Sequence, residues 1–201
     1  GTEPMLPDSL AGRFEALRFE DLFSADESEI ADGPAHSDLV GVMYTSGTTG
    51  PSKGAMITHC HAFEYAIVAV ECIEMRSDDV YYGPLPMFHI AGQWAVIYAA
   101  CIMDATAVLA GTFSIAGFWD DIRRYEATCC FLLGAMVNFV NNQEPRADDA
   151  DHPLERIITA PLFPGIEDFK KRFGVLVSTT WGGTEMNCPM RSGFDLANSR
   201  T

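Results

Sequence analysis

Apolar residues recur along this chain with two alternating spacings. Compact apolar runs at Asp38 to Tyr44, Val80 to Tyr82, Ala105 to Leu109, Thr128 to Leu133, Leu154 to Thr159 and Val175 to Thr179 predict strands. Between them, His59 to Met75 places Phe63, Ile67, Val70 and Ile73 at helical spacing, and Gln93 to Ile102, Ile115 to Tyr125, Ala135 to Asn142 and Gly165 to Phe173 predict further helices. Strands separated by helical stretches imply βαβ units. The expected fold is therefore α/β, a mainly parallel sheet with helices on both faces. Residues 1 to 37 break the pattern as an acidic lead-in with one amphipathic run (Leu10, Phe14, Leu17, Phe19, Leu22, Phe23). The stretch from Gln143 to Pro153 reads as a flexible acidic insertion.

Composition narrows the partners. A chain of 201 residues, 48% apolar and 20% charged, can bury one sizeable domain or two small ones. Thirteen basic against twenty-eight acidic residues give a formal charge of -15, which argues against nucleic acid or an anionic membrane as the main partner. Nine of the acids lie in residues 1 to 37. Six cysteines lack any C-x-x-C spacing and sit mostly in apolar surroundings, as expected of small buried hydrophobes in a reducing compartment. No signal-peptide pattern and no apolar run of membrane-spanning length occurs, so a soluble, cytoplasmic protein is expected.

Candidate chemistry begins directly after the first strand. Thr45-Ser46-Gly47-Thr48-Thr49-Gly50-Pro51-Ser52-Lys53-Gly54 combines glycines, hydroxyls and one lysine. Glycine lets backbone N–H groups converge on an anion, the hydroxyls add donors, and Lys53 adds a full positive charge. The Walker pattern needs glycine before the lysine and Ser or Thr after it, whereas Ser52 and Gly54 flank Lys53. The stretch reads as a polyphosphate cradle, with a surface Gly/Ser/Thr turn as the plainer alternative.

Three further stretches follow. Pro84-Leu85-Pro86-Met87-Phe88-His89 leaves a strand, so His89 is either a satisfied core histidine or the wall of a ligand pocket. Ile158-Thr159-Ala160-Pro161-Leu162 closes another strand with small residues that leave room for a flat ligand. Trp181-Gly182-Gly183-Thr184-Glu185 offers a ring face, two glycines, a hydroxyl and a carboxylate, a set able to stack a purine and hold magnesium through oxygen. A glycine turn with an exposed acid is its plainer reading.

In this order the four stretches resemble the signatures of adenylate-forming enzymes, the acyl-CoA synthetase, luciferase and peptide-synthetase adenylation group. Ser52 stands where those enzymes usually have proline, and Trp181 where tyrosine is usual. Arg76 to Tyr81 and Phe118-Trp119 look closest to crotonobetaine and carnitine CoA-ligase-like members. The resemblance implies that residues 38–201 are part of the large N-terminal AMP-binding domain, with a small C-terminal domain absent. It implies activation of a carboxylic acid by ATP and Mg²⁺, with coenzyme A as acceptor. Thr45, Ser46, Gly47, Thr48, Thr49, Gly50 and Lys53 would hold the β- and γ-phosphates, Thr184 the α-phosphate and Glu185 the metal. Trp181, Gly182, Ala160 and Pro161 would meet the nucleoside, and His89 the carboxylate, over a floor of Gly92, Gln93 and Gly134 to Met136. Two alternatives remain open: a non-catalytic nucleotide-binding module, and adenylation of an amino or aryl acid for a carrier protein.

Overall fold

Thr45 and Lys53, near the two ends of the glycine-rich stretch, lie on two paired strands. In the computed structural model, which describes residues 33–45 and 50–196, β1 (Leu39–Thr45) and β2 (Lys53–Thr58) pair antiparallel as a separate two-stranded sheet. The first strand predicted from sequence is thus an arm of a hairpin, outside the main sheet. Thr58 ends β2 and caps α1 (His59–Ile73), accepting the His61 N–H at 3.2 Å.

The main sheet contains β3 (Val80–Gly83), β4 (Thr106–Leu109), β5 (Cys129–Leu133), β6 (Arg156–Ala160) and β7 (Leu176–Ser178). Its order is β4-β3-β5-β6-β7, and every neighbouring pair is parallel. Successive strand residues point to opposite faces, and both faces are covered. Tyr81, Cys129, Phe131 and Ile158 pack with α1, a π-helix (Ala91–Tyr98) and the start of α2 (Ala99–Ile102). Tyr82, Cys130, Leu132, Ile157 and Val177 pack with α3 (Phe118–Arg124), α4 (Gly134–Asn141) and α5 (Ile166–Phe173). The expected α/β architecture is the one found.

Three local features differ from the pattern. The helix expected at Gln93 opens with the π-helix, whose wide turn is closed by Ala99 N–H bonding to Trp94 O. Strands β8 (Thr180–Gly183) and β9 (Asn187–Arg191) form a further antiparallel hairpin, which glycine-rich residues did not announce. The acidic insertion is a loop, but arginines pin it: Arg172 donates to the carbonyls of Asn141, Gln143 and Glu144 and to Asp149, while Arg123 holds the carbonyls of Asp148 and Asp151.

All six cysteines are free. Four are buried, and burial pushes the Cys72 and Cys129 thiols up to about 12, while Cys60 and Cys101 are exposed. Among the described residues, no helix is long and apolar enough to cross a membrane.

One buried cation ties the amino ends of the strands together. Arg156, 2% exposed, donates to Ile73 O at 3.0 Å and Glu74 O at 2.9 Å, and pairs with the equally buried Asp79. Asp79 also accepts the Thr128 hydroxyl at 2.7 Å and the Arg76 N–H at 2.6 Å, and Thr128 in turn accepts the Val80 N–H at 3.1 Å. Removing one partner strands a charge in a low-dielectric interior. Asp79→Ala should therefore lower unfolding stability by about 3–5 kcal/mol in urea titrations. The double change Asp79→Leu with Arg156→Met should cost less than Asp79→Ala alone.

Candidate functional site

Every stretch singled out for chemistry beyond the cradle leaves the carboxyl end of a strand in the parallel sheet. Pro84 to His89 follows β3, Gly134 follows β5, Ala160-Pro161 ends β6, and Trp181 to Glu185 lies past β7. Because β3 leads sideways to β4 and β5 leads the other way to β6, the connections diverge between β3 and β5. Open α/β sheets bind ligands in the crevice at such a switch point. His89 and Gly134 stand on its two sides.

The cradle reaches this end through one hydrogen bond. Thr45, the last residue of β1, donates its hydroxyl to Glu185 Oε1 at 3.0 Å across 140 positions of sequence. Lys53 is the cross-strand partner of Thr45 and is exposed, with no ion-pair partner among the described residues. Gly50 faces open space, and Ser46, Gly47, Thr48 and Thr49 lie outside the described residues. Glu185 sits with half-buried Thr184 in the turn joining β8 to β9, where Met186 N–H bonds Gly183 O at 3.3 Å. Trp181 presents its ring to solvent at 57% exposure, available for stacking.

His89 is fixed by its own backbone. Its N–H bonds Pro86 O at 3.0 Å, and its Nδ1 accepts the Ala91 N–H at 3.1 Å. Partial desolvation of the ring lowers its pKa below the ordinary 6.5, so the imidazole is neutral at pH 7. With Nδ1 accepting, the proton resides on Nε2, which becomes a donor for an incoming ligand.

Several small residues serve backbone contact rather than ligand space. A Cβ on Gly134 would lie 2.1 Å from Pro161 O, one on Gly92 2.4 Å from Pro86 O, and one on Gly182 2.1 Å from Asn187 O. At Gly92 and Gly134 the Cβ position is thus taken by main chain. Thr179 joins the same region, donating its hydroxyl to Thr159 O at 2.7 Å.

Sequence reasoning missed the anchors of the β8–β9 hairpin. Asn187 donates its amide to His61 O at 3.2 Å, and Arg191 pairs with Glu71, both on α1. An asparagine two places after Thr-Glu, where the chain must turn, was the available signal.

This convergence of cradle and carboxylate coincides with a family match over residues 6–200, to the AMP-binding enzymes. The chain belongs to the AMP-binding enzyme family. Among AMP-binding relatives, it is 32% identical to long-chain fatty acid transport protein 1 of Mus musculus over 94% of this chain and 29% of that protein. It is 36% identical to crotonobetaine/carnitine--CoA ligase of Salmonella arizonae over 74% of this chain and 29% of that enzyme. The chain thus spans about three-tenths of these relatives. Among solved structures, the N-terminal domain of FACL13 from Mycobacterium tuberculosis superposes with a TM-score of 0.71 at 28% identity, over 82% of this chain and 41% of that one. The O-succinylbenzoate coenzyme A synthetase of Bacillus subtilis, solved with ATP and magnesium ion, shares the fold with a TM-score of 0.73 at 24% identity, over 89% of this chain and 38% of that one.

The folded pKa of His89 lies below its unfolded value, so the unfolded chain binds more protons between the two. The His89 contribution to stability is therefore undiminished above about pH 6.5 and falls as pH drops from there through the folded pKa. Histidine NMR should show His89 protonated on Nε2 and titrating below 6.5, and His89→Gln should flatten the acid side of the stability profile.

Proposed function

We propose that residues 38–201 are the nucleotide-loading part of the large domain of an ATP-dependent, cytoplasmic acyl-CoA synthetase, with residues 1–37 as a lead-in and a small C-terminal domain supplied by the parent protein. The supporting observation is the Thr45–Glu185 hydrogen bond, which brings the cradle and the aromatic-Gly-x-Thr-Glu stretch to one point. Relatives named as CoA ligases support the acceptor.

In this reading a carboxylate oxygen of the acid attacks the α-phosphorus of ATP. The bond from that phosphorus to the bridging oxygen breaks, and pyrophosphate leaves with the electron pair. The CoA sulfur then attacks the acyl carbon, AMP departs, and the thiol proton passes to solvent. His89 donates from Nε2 to the substrate carboxylate and orients it. Lys53 follows the charge that builds on the departing phosphates, assisted by the hydroxyls of Thr45, Ser46, Thr48 and Thr49 and the N–H groups around Gly47 and Gly50. Thr184 meets the α-phosphate, while Trp181, Gly182, Ala160 and Pro161 border the nucleoside.

The donor set near Glu185 fits magnesium. That ion takes oxygen ligands, keeps several waters, and is held by one or two carboxylates together with substrate phosphates. Glu185 Oε1 with the Thr45 hydroxyl beside it is such an arrangement, and no cluster of three His, Cys, Asp or Glu side chains competes among the described residues. When bound, magnesium supplies positive charge facing the phosphates.

Calorimetric titration with ATP tests the reading. The chain should bind ATP more tightly with Mg²⁺ than in EDTA. Lys53→Ala should weaken binding about ten- to a hundredfold, the loss of one charge-assisted contact, and Glu185→Gln should remove the Mg²⁺ enhancement. In the parent protein, labelled pyrophosphate should exchange into ATP only when a carboxylic acid is present. Absence of Mg²⁺-dependent ATP binding would overturn the proposal.

A further inference from the structure

The turn bearing Thr184 and Glu185 has no apolar core of its own, yet Glu185 arrives within hydrogen-bonding distance of Thr45. Asn187 supplies the constraint. It opens β9 opposite Gly183 and adopts φ 64, a left-handed conformation that asparagine tolerates better than most residues. Its carbonyl occupies the space where a Cβ on Gly182 would stand.

The side chain is fully committed. Oδ1 accepts the Cys188 N–H at 3.0 Å, which orients the amide, and Nδ2 then donates to His61 O at 3.2 Å in the first turn of α1. That turn is itself tied to β2, because Thr58 caps it through the His61 N–H. β2 pairs with β1, and β1 ends at Thr45, the residue bonded to Glu185. The connections close a ring: Glu185, Thr45, the β1–β2 hairpin, Thr58, His61, Asn187 and back through the turn. Only two links in the ring depend on side chains of the turn and the residue that closes it, Glu185 and Asn187. The Arg191–Glu71 pair adds a second tether to α1, but both partners are 46% exposed and the pair is weakened by water.

We propose that Asn187 is a positioning residue that holds the Glu185 carboxylate against the cradle, and so sets how strongly Mg²⁺ and ATP reinforce one another. This rests on the nucleotide-binding reading above. Asn187 touches neither ligand; it acts through Glu185. Outer contacts of this kind are worth about ten- to a hundredfold in metal affinity.

Asn187→Gly separates backbone from side chain, because glycine accepts φ 64 and lacks the amide. Asn187→Asp retains the Oδ1 acceptor and places a carboxylate oxygen against His61 O. Both variants should keep the wild-type circular dichroism and bind ATP in EDTA as the wild type does. Each should lose about tenfold or more of the Mg²⁺ enhancement. In the unliganded protein, amide exchange at Gly183 to Met186 should quicken while the middle of α1 is unchanged. Full Mg²⁺ enhancement in Asn187→Gly, or unchanged exchange in the turn, overturns the positioning role while leaving nucleotide binding intact. A wild-type chain without Mg²⁺-dependent ATP binding overturns both proposals.

Discussion

Arg156 is a cation placed where water cannot reach it, and four chain segments must meet for it to be tolerated. The C-terminal carbonyls of α1, the residue before β3, the residue before β5 and β6 itself all contribute to its surroundings. A buried charge with too few partners is so unfavourable that a strand pairing which separates Arg156 from Asp79 is penalised. Its place at the amino ends of the strands has a structural result. Register is set at one end of the sheet, and the loops at the other end are left to meet a ligand.

The division matters because the carboxyl ends cannot be organised by burial. Trp181, Glu185, Lys53 and His89 are all exposed, and what holds them is local: a hairpin register, a tether to α1, and a histidine nitrogen bonded to a neighbouring amide. A formal charge of -15 over the whole chain gives no general attraction for an anion. Lys53, exposed and without a carboxylate partner among the described residues, stands across the hairpin from Thr45, whose hydroxyl meets Glu185.

Much of this was legible in the sequence, for identifiable reasons. The central strands β3 and β5 are short apolar runs buried on both faces, and β5, Cys129 to Leu133, reads as a strand because both pleats are apolar. Helix α5 was equally plain, with Ile166, Phe169 and Phe173 on one face, acids in its first turn and bases in its last. By contrast, β2, β8 and β9 contain Lys53, Gly54, Gly182, Gly183 and Asn187, whose strand conformation comes from hairpin partners rather than from their own pattern. The cradle and the Thr-Glu stretch were each visible as chemistry. Their meeting was implied only by the family resemblance, because the Thr45–Glu185 contact spans 140 positions and nothing in either segment by itself encodes the other. Gly92 and Gly134 carry a requirement that sequence does not display, because each admits a neighbouring carbonyl where a Cβ would stand.

The π-helix that follows His89 carries one more consequence. An α-helix advances about 100° per residue, and a wide turn stores in effect one extra residue. Deleting one residue from Ala91–Tyr98 would let the segment relax to ordinary helical bonding with the chain on either side kept in register, whereas adding one would turn everything before it by roughly that angle. With an added residue, the buried anchors Trp94, Val96 and Ala99 would be preserved at the expense of His89, or the reverse. The aim of the histidine is thus recorded in a residue count as well as in packing, and the segment has more room for a residue lost than for one gained.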